Sequence, residues 1–146
     1  MKKRQVVLVD DVPYRQVDWG LTKNLVGPER MGSEKIKINI TEYQAGYTHK
    51  LHMHPTQDEV IFVLKGQGIT ETNEDKIEIG PGSVVFVPAG VFHATINLSN
   101  TESLKAVIIK SPPGDEEVRS DSLSSKEKAP FQRTIARGVN VKSQTG

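Results

Sequence analysis

The clearest periodicity in the chain is "KIKINITEY", residues 35 to 43. Ile36, Ile38 and Ile40 fall on one side, and Lys37, Asn39 and Thr41 on the other. Strict alternation of this kind predicts a strand with one buried face. "EVIFVLKG" and "SVVFVPAG" are instead short, continuous apolar runs rich in β-branched and aromatic residues. They read as strands buried on both faces. "GITET" and "KIEIG" flank "NED", a hairpin signal. "HATINL" and "LKAVIIK" complete the series, and "KGQG", "GPGS" and "PAG" punctuate it. Many short strands between tight turns predict an all-β antiparallel sandwich or barrel.

Three zones follow from this pattern. Residues 1–34 mix short apolar runs with turn signals and are expected to supply N-terminal strands and loops that pack on the barrel or on a partner. Residues 35–114 hold the strand series. Residues 115–146 open with a charged, serine-rich stretch that reads as a polar linker, followed by a C-terminal arm. In that arm Phe131, Ile135 and Val139 recur every four residues, a spacing suited to a short helical turn or an extended arm on a neighbouring subunit.

Composition narrows the function classes. A length of 146 residues suits one domain with a real core. The formal net charge of +1 gives no reason to expect nucleic acid or an anionic membrane as a partner. With no cysteine, disulfides and thiolate metal sites are excluded, so a metal must be held by nitrogen and oxygen. The apolar run near the start, "VVLV", is too short for a signal peptide, and no stretch reaches transmembrane length. The expected location is the cytoplasm.

Three of the four histidines lie in "HKLHMHPTQDEV", residues 49 to 60. On a strand, His52 and His54 point the same way and Met53 the other. Pro55 ends that strand, and after a "PTQD" turn Glu59 begins the next. If the two strands run antiparallel, Glu59 lies opposite the histidine pair. His93 opens a later strand and can add a third imidazole. Two or three imidazoles with one carboxylate suit a borderline-hard transition metal. If the strand is unbroken, parity places His49 with Met53, away from the site, as a non-ligand.

These stretches resemble the two cupin motifs. Gly46 to Gly66 reads glycine, five residues, His-x-His, four residues, Glu, six residues, glycine. Gly82 to Asn97 reads glycine, five residues, Pro-x-Gly, two residues, His, three residues, Asn. Both match without a gap. The resemblance implies a cupin-type double-stranded β-helix, or jelly-roll barrel, holding one divalent transition metal per chain (Fe, Mn, Ni, Co, Cu or Zn). It implies His52, His54, Glu59 and His93 as ligands. Gly46, Gly66, Gly82 and Gly90, with Pro88 and Asn97, read as architectural.

Parity from Glu59 puts Ile61 and Val63 inside the barrel, and parity from His93 puts Thr95 and Asn97 there. The wall beside the metal is therefore expected to be largely apolar. Such a wall favours a small, weakly charged oxygenated substrate and dioxygenase-type chemistry, with Glu59 either staying a ligand or detaching to accept a proton as the catalytic group. A non-redox lyase or sugar isomerase is the alternative. It requires polar or basic residues inside, and Lys37 and Asn39 are candidates if their face turns inward. A metal-dependent small-ligand binding protein without catalysis is the third reading. "VIFVL" is apolar on both faces, and its outer side needs cover, so a homodimer is expected.

Overall fold

The structure is a computed structural model that describes residues 5–120. It is all-β, apart from one 3-10 turn at Val9–Asp11. The strands are β1 (Arg15–Val17), β2 (Gly20–Val26), β3 (Lys37–Tyr43), β4 (Thr48–Met53), β5 (Asp58–Lys65) and β6 (Gly68–Thr72). They continue with β7 (Lys76–Ile79), β8 (Val84–Val87), β9 (His93–Asn97), β10 (Leu104–Ser111) and β11 (Val118–Arg119). Two sheets face each other: β1-β2-β3-β10-β5-β8, and β11-β4-β9-β6-β7. Every strand pairing is antiparallel. The all-β jelly-roll expectation therefore holds, and no helix of the described residues is long and apolar enough to cross a membrane.

Alternation along each strand divides the interior. On β5, Glu59, Ile61 and Val63 are buried, whereas Phe62 and Leu64 are exposed. Ile61 and Val63 join Val85, Val87, Leu104 and Ile108 in one core. Burying each such side chain stabilises the fold by about 1.5–3 kcal/mol. Parity thus places these two residues inside, yet they pack into the apolar core and do not line the cavity. A different surface faces the cavity.

That surface comes from β3, whose polar face turns inward. Asn39, Thr41 and Tyr43 line a cavity together with Thr22 of β2. The isoleucine face turns outward, where Ile40 packs with Val12 and Leu25 in a second apolar cluster. The N-terminal segment covers that cluster, and this is why both faces of β3 can be buried.

Two connections differ from their sequence reading. Strands β4 and β5 do not pair with each other but lie in opposite sheets. "PTQD" is thus a crossover between layers, and Glu59 meets the histidines across the barrel. Nor does the chain leave the barrel at residue 115. It returns as β11, pairing Val118 with Met53 and Arg119 with His52. The remainder of the arm, with Phe131, Ile135 and Val139, lies outside the described residues.

The four motif glycines all take positive φ, between 79° and 91°. At Gly66 a side chain is doubly excluded, since a Cβ would also sit 2.6 Å from the Ser103 carbonyl oxygen. Asn97 donates from Nδ2 to the carbonyls of Tyr43 and Glu102. It therefore ties β9 to the opposite sheet.

Candidate metal centre

His52 and His93 are directly paired across β4 and β9. His54 follows the end of β4, and Glu59 reaches in from the facing sheet. All four are buried, and their ligand atoms lie within 4.8 Å of one another. Glu59 Oε2 is 2.7 Å from His93 Nε2 and 3.4 Å from His54 Nε2. Donors that share an ion at about 2.1 Å stand about 3–4 Å apart.

Each imidazole is oriented by the backbone. Nδ1 of His52 donates to the Lys50 carbonyl, Nδ1 of His54 to the Glu116 carbonyl at 2.8 Å, and Nδ1 of His93 to the Val91 carbonyl at 3.0 Å. That leaves Nε2 of each ring as the lone-pair nitrogen aimed inward. Nε2 of His52, Nε2 of His54 and Oε2 of Glu59 are buried without a well-aligned hydrogen bond. Buried acceptors left in this state are costly, and a divalent cation satisfies all of them at once. The donor set therefore fits a borderline transition metal.

Electrostatics agree with that fit. Burial drives the His52 imidazole down to about 2, helped by the neighbouring His93 and His49 rings, so it stays neutral. Burial raises the Glu59 carboxyl, while His93 and His54, where their inward nitrogens carry a proton, hold it well below the usual range. Neutral imidazole and ionised carboxylate are the ligating forms.

His49 is not on the far face. The β4–β9 register shifts between His49 and His52. This irregularity breaks the parity count and brings His49 to the site side. Its ring is stacked between Trp19 (3.6 Å, 9°) and His52 (3.6 Å, 19°). His49 Nε2 lies 3.2 Å from Glu117 Oε2, and Arg119 Nη2 lies 3.2 Å from Glu117 Oε1. Despite burial, which raises it, the Glu117 carboxyl is held down to about 2 by His49, His52 and Arg119. His49, His52 and Glu117 also bring donor atoms within 4.8 Å of one another. Two nearly parallel rings, however, cannot aim their in-plane lone pairs at a single ion. We therefore assign this group as a brace for His52 rather than a second metal seat.

The cavity above the cluster measures about 270 Å³ and contains Glu59, His49 and Glu117. Beyond Trp19, Val17 and Ile108 its wall is polar: Thr22, Asn39, Thr41, Tyr43, Arg15, Lys110, Asp115 and Arg119. The largely apolar wall expected from the sequence is thus corrected. Burial, with Glu59 adding to it, pushes the Tyr43 phenol upward, so it remains protonated. Sequence reasoning missed Glu117, Arg119 and Lys110 as chamber residues. Only the charged residues after "SPPG" hinted at Glu117 and Arg119, and these read equally well as a solvated linker, while Lys110 is simply the last residue of the strand run "LKAVIIK".

Comparison with known proteins agrees with the fold and the motifs. The Cupin domain family matches residues 39–110. An uncharacterized protein of Streptomyces coelicolor is 35% identical over 78 residues, covering 53% of this chain and 71% of the relative. An oxalate-binding protein of Thermotoga maritima is 29% identical over 87 residues, covering 59% and 72%. The solved structure of the polyketide cyclase RemF from Streptomyces resistomycificus superposes with a TM-score of 0.73 at 17% identity, covering 86% of this chain and 90% of that one. With both motifs filled, both sheets in place and a His/Glu cluster able to hold a metal, the chain belongs to the cupin superfamily.

Proposed function

We propose that this chain is a metal-dependent cupin enzyme acting without redox chemistry, as a lyase or isomerase, on a small, oxygen-rich organic acid. The observation that carries this reading is the inward polar face of β2 and β3 above Glu59. The dioxygenase reading rested on an apolar wall, and the wall is polar. The chamber is below the ~300 Å³ typical of the smallest drug-sized pockets, which favours a small molecule. Its lining balances Arg15, Lys110 and Arg119 against Glu59, Asp115 and Glu117. A divalent cation therefore leaves the chamber net positive, suited to an anion.

His52, His54, His93 and Glu59 would hold the metal. When bound, it supplies Lewis-acid stabilisation of developing negative charge on a substrate oxygen. The chain's own groups do the rest. Tyr43, kept protonated, donates a hydrogen bond to a substrate oxygen. Thr22, Asn39 and Thr41 order the hydroxyl groups. Glu59, held ionised, accepts a substrate proton.

The test is proton exchange in D2O with candidate keto acids and sugar acids, followed by NMR under nitrogen. Metal-dependent deuterium incorporation that persists without oxygen is expected. Turnover that stops on removing oxygen restores the oxygenase reading. The oxalate-binding relative favours a second reading, binding without turnover. That reading prevails if organic acids raise the melting temperature but are recovered unchanged and unlabelled.

A further inference from the structure

Lys37 and Lys110 are both largely buried, with side chains 13% and 14% exposed. Among the described residues, each has the same carboxylate as its ion-pair partner: Lys37 Nζ contacts Asp115 Oδ2, and Lys110 Nζ lies 3.5 Å from Asp115 Oδ1. One carboxylate cannot neutralise two ammonium groups. Withdrawing cations from water is costly unless counter-charge is supplied. Arg15, exposed at the same place, has no ion-pair partner among the described residues, and Glu29 is the further acidic group on the wall of the neighbouring cavity.

The position of this surplus is informative. A second cavity, about 390 Å³, lies beside the metal chamber. Arg15 and Asp115 line both cavities, Lys110 lines the chamber and Lys37 lines its neighbour. The cationic cluster therefore marks the junction between the two spaces, with Lys110 directly cross-strand from the metal-directed Glu59. Arginine offers a planar fork that matches a carboxylate, and lysines add point charge.

We propose that this junction is a carboxylate-binding subsite, and that the ligand is a two-ended acid. One end occupies the chamber beside His52, His54, Glu59 and His93. The other, a carboxylate, is held by Lys110, Lys37 and Arg15 and supplies the missing negative charge. This rests on the organic-acid reading above and extends it from one acidic group to two.

The test is calorimetric titration of the metal-loaded full chain with acetate and with oxalate, malonate, succinate and glutarate. Affinity is expected to peak at one dicarboxylate length, at least about tenfold above acetate, the equivalent of about 1.4 kcal/mol. Arg15→Gln and Lys110→Met should each lower dicarboxylate affinity by about tenfold more than they lower acetate affinity. Arg15 is exposed, so its variant tests the subsite even if the buried Lys110 variant fails to fold. Equal affinity for acetate and every dicarboxylate overturns the proposal, as does a loss in Arg15→Gln that affects acetate equally. A phosphate-ended analogue that binds more tightly with the same Arg15 dependence overturns the carboxylate assignment. These titrations do not depend on turnover. A length preference without deuterium exchange leaves the subsite standing and removes only the enzyme reading.

Discussion

His52 shows how much a single position carries. Its Nδ1 is bonded to the Lys50 carbonyl, its Nε2 points into the cluster, and its ring is braced by His49. His52→Ala, His54→Ala or His93→Ala should each sharply reduce bound metal by elemental analysis. His49→Ala should leave one ion per chain but weaken its binding by about tenfold, because it removes a ring that orients a ligand. Trp19 is the chain's one tryptophan and sits at the end of the stack, so its fluorescence should respond to metal. The metal-stripped chain carries its own pH signature. His52 has a depressed value in the fold, so its contribution is complete above about 6.5 and is lost as pH falls, by about 1.4 kcal/mol per unit. Melting temperature should therefore drop between pH 7.5 and 5.5, and less so in His52→Gln. The clustering of His52, His54, Glu59 and His93 was legible because two motifs fix their spacing. The place of His49 was not, because a register irregularity leaves no mark in an alternation count.

At the level of the strand, β3 gives the sharpest contrast between pattern and outcome. Alternation announced two faces but not which one turns inward. The isoleucine face found a second cluster under the N-terminal segment, which freed the polar face to build the chamber. Ile40→Ala should cost about 2–4 kcal/mol in denaturant unfolding without altering the chamber. Asn97→Ala breaks one bond to Tyr43 in the facing sheet and one to the Glu102 loop, and leaves the buried Tyr43 carbonyl without this donor, a loss of about 1–3 kcal/mol. In both variants metal content should hold while stability falls, the reverse of the histidine variants. Strand β11 was illegible for a different reason. Its pairing with β4 joins residues more than sixty positions apart, and the intervening "SPPGDEE" has the composition of a linker.

The outer surface of the molecule carries Phe62, Leu64, Val84 and Phe86 exposed on β5 and β8, at the edge of the larger sheet. We expect this stripe to join two copies. Sedimentation of the full chain should show a dimer, and Phe62→Glu combined with Phe86→Glu should give a folded monomer. A wild-type monomer at micromolar concentration would sink that expectation. The crossover between β4 and β5 has a kinetic consequence. His52 and His93 belong to one sheet, with His54 just past its strand β4, and Glu59 belongs to the other, so the donor set is complete only when the two layers close on each other. A half-closed chain offers an ion the imidazoles without the charged fourth donor. Metal should therefore slow unfolding in stopped-flow experiments while leaving the refolding limb nearly unchanged, the behaviour of contacts made after the transition state.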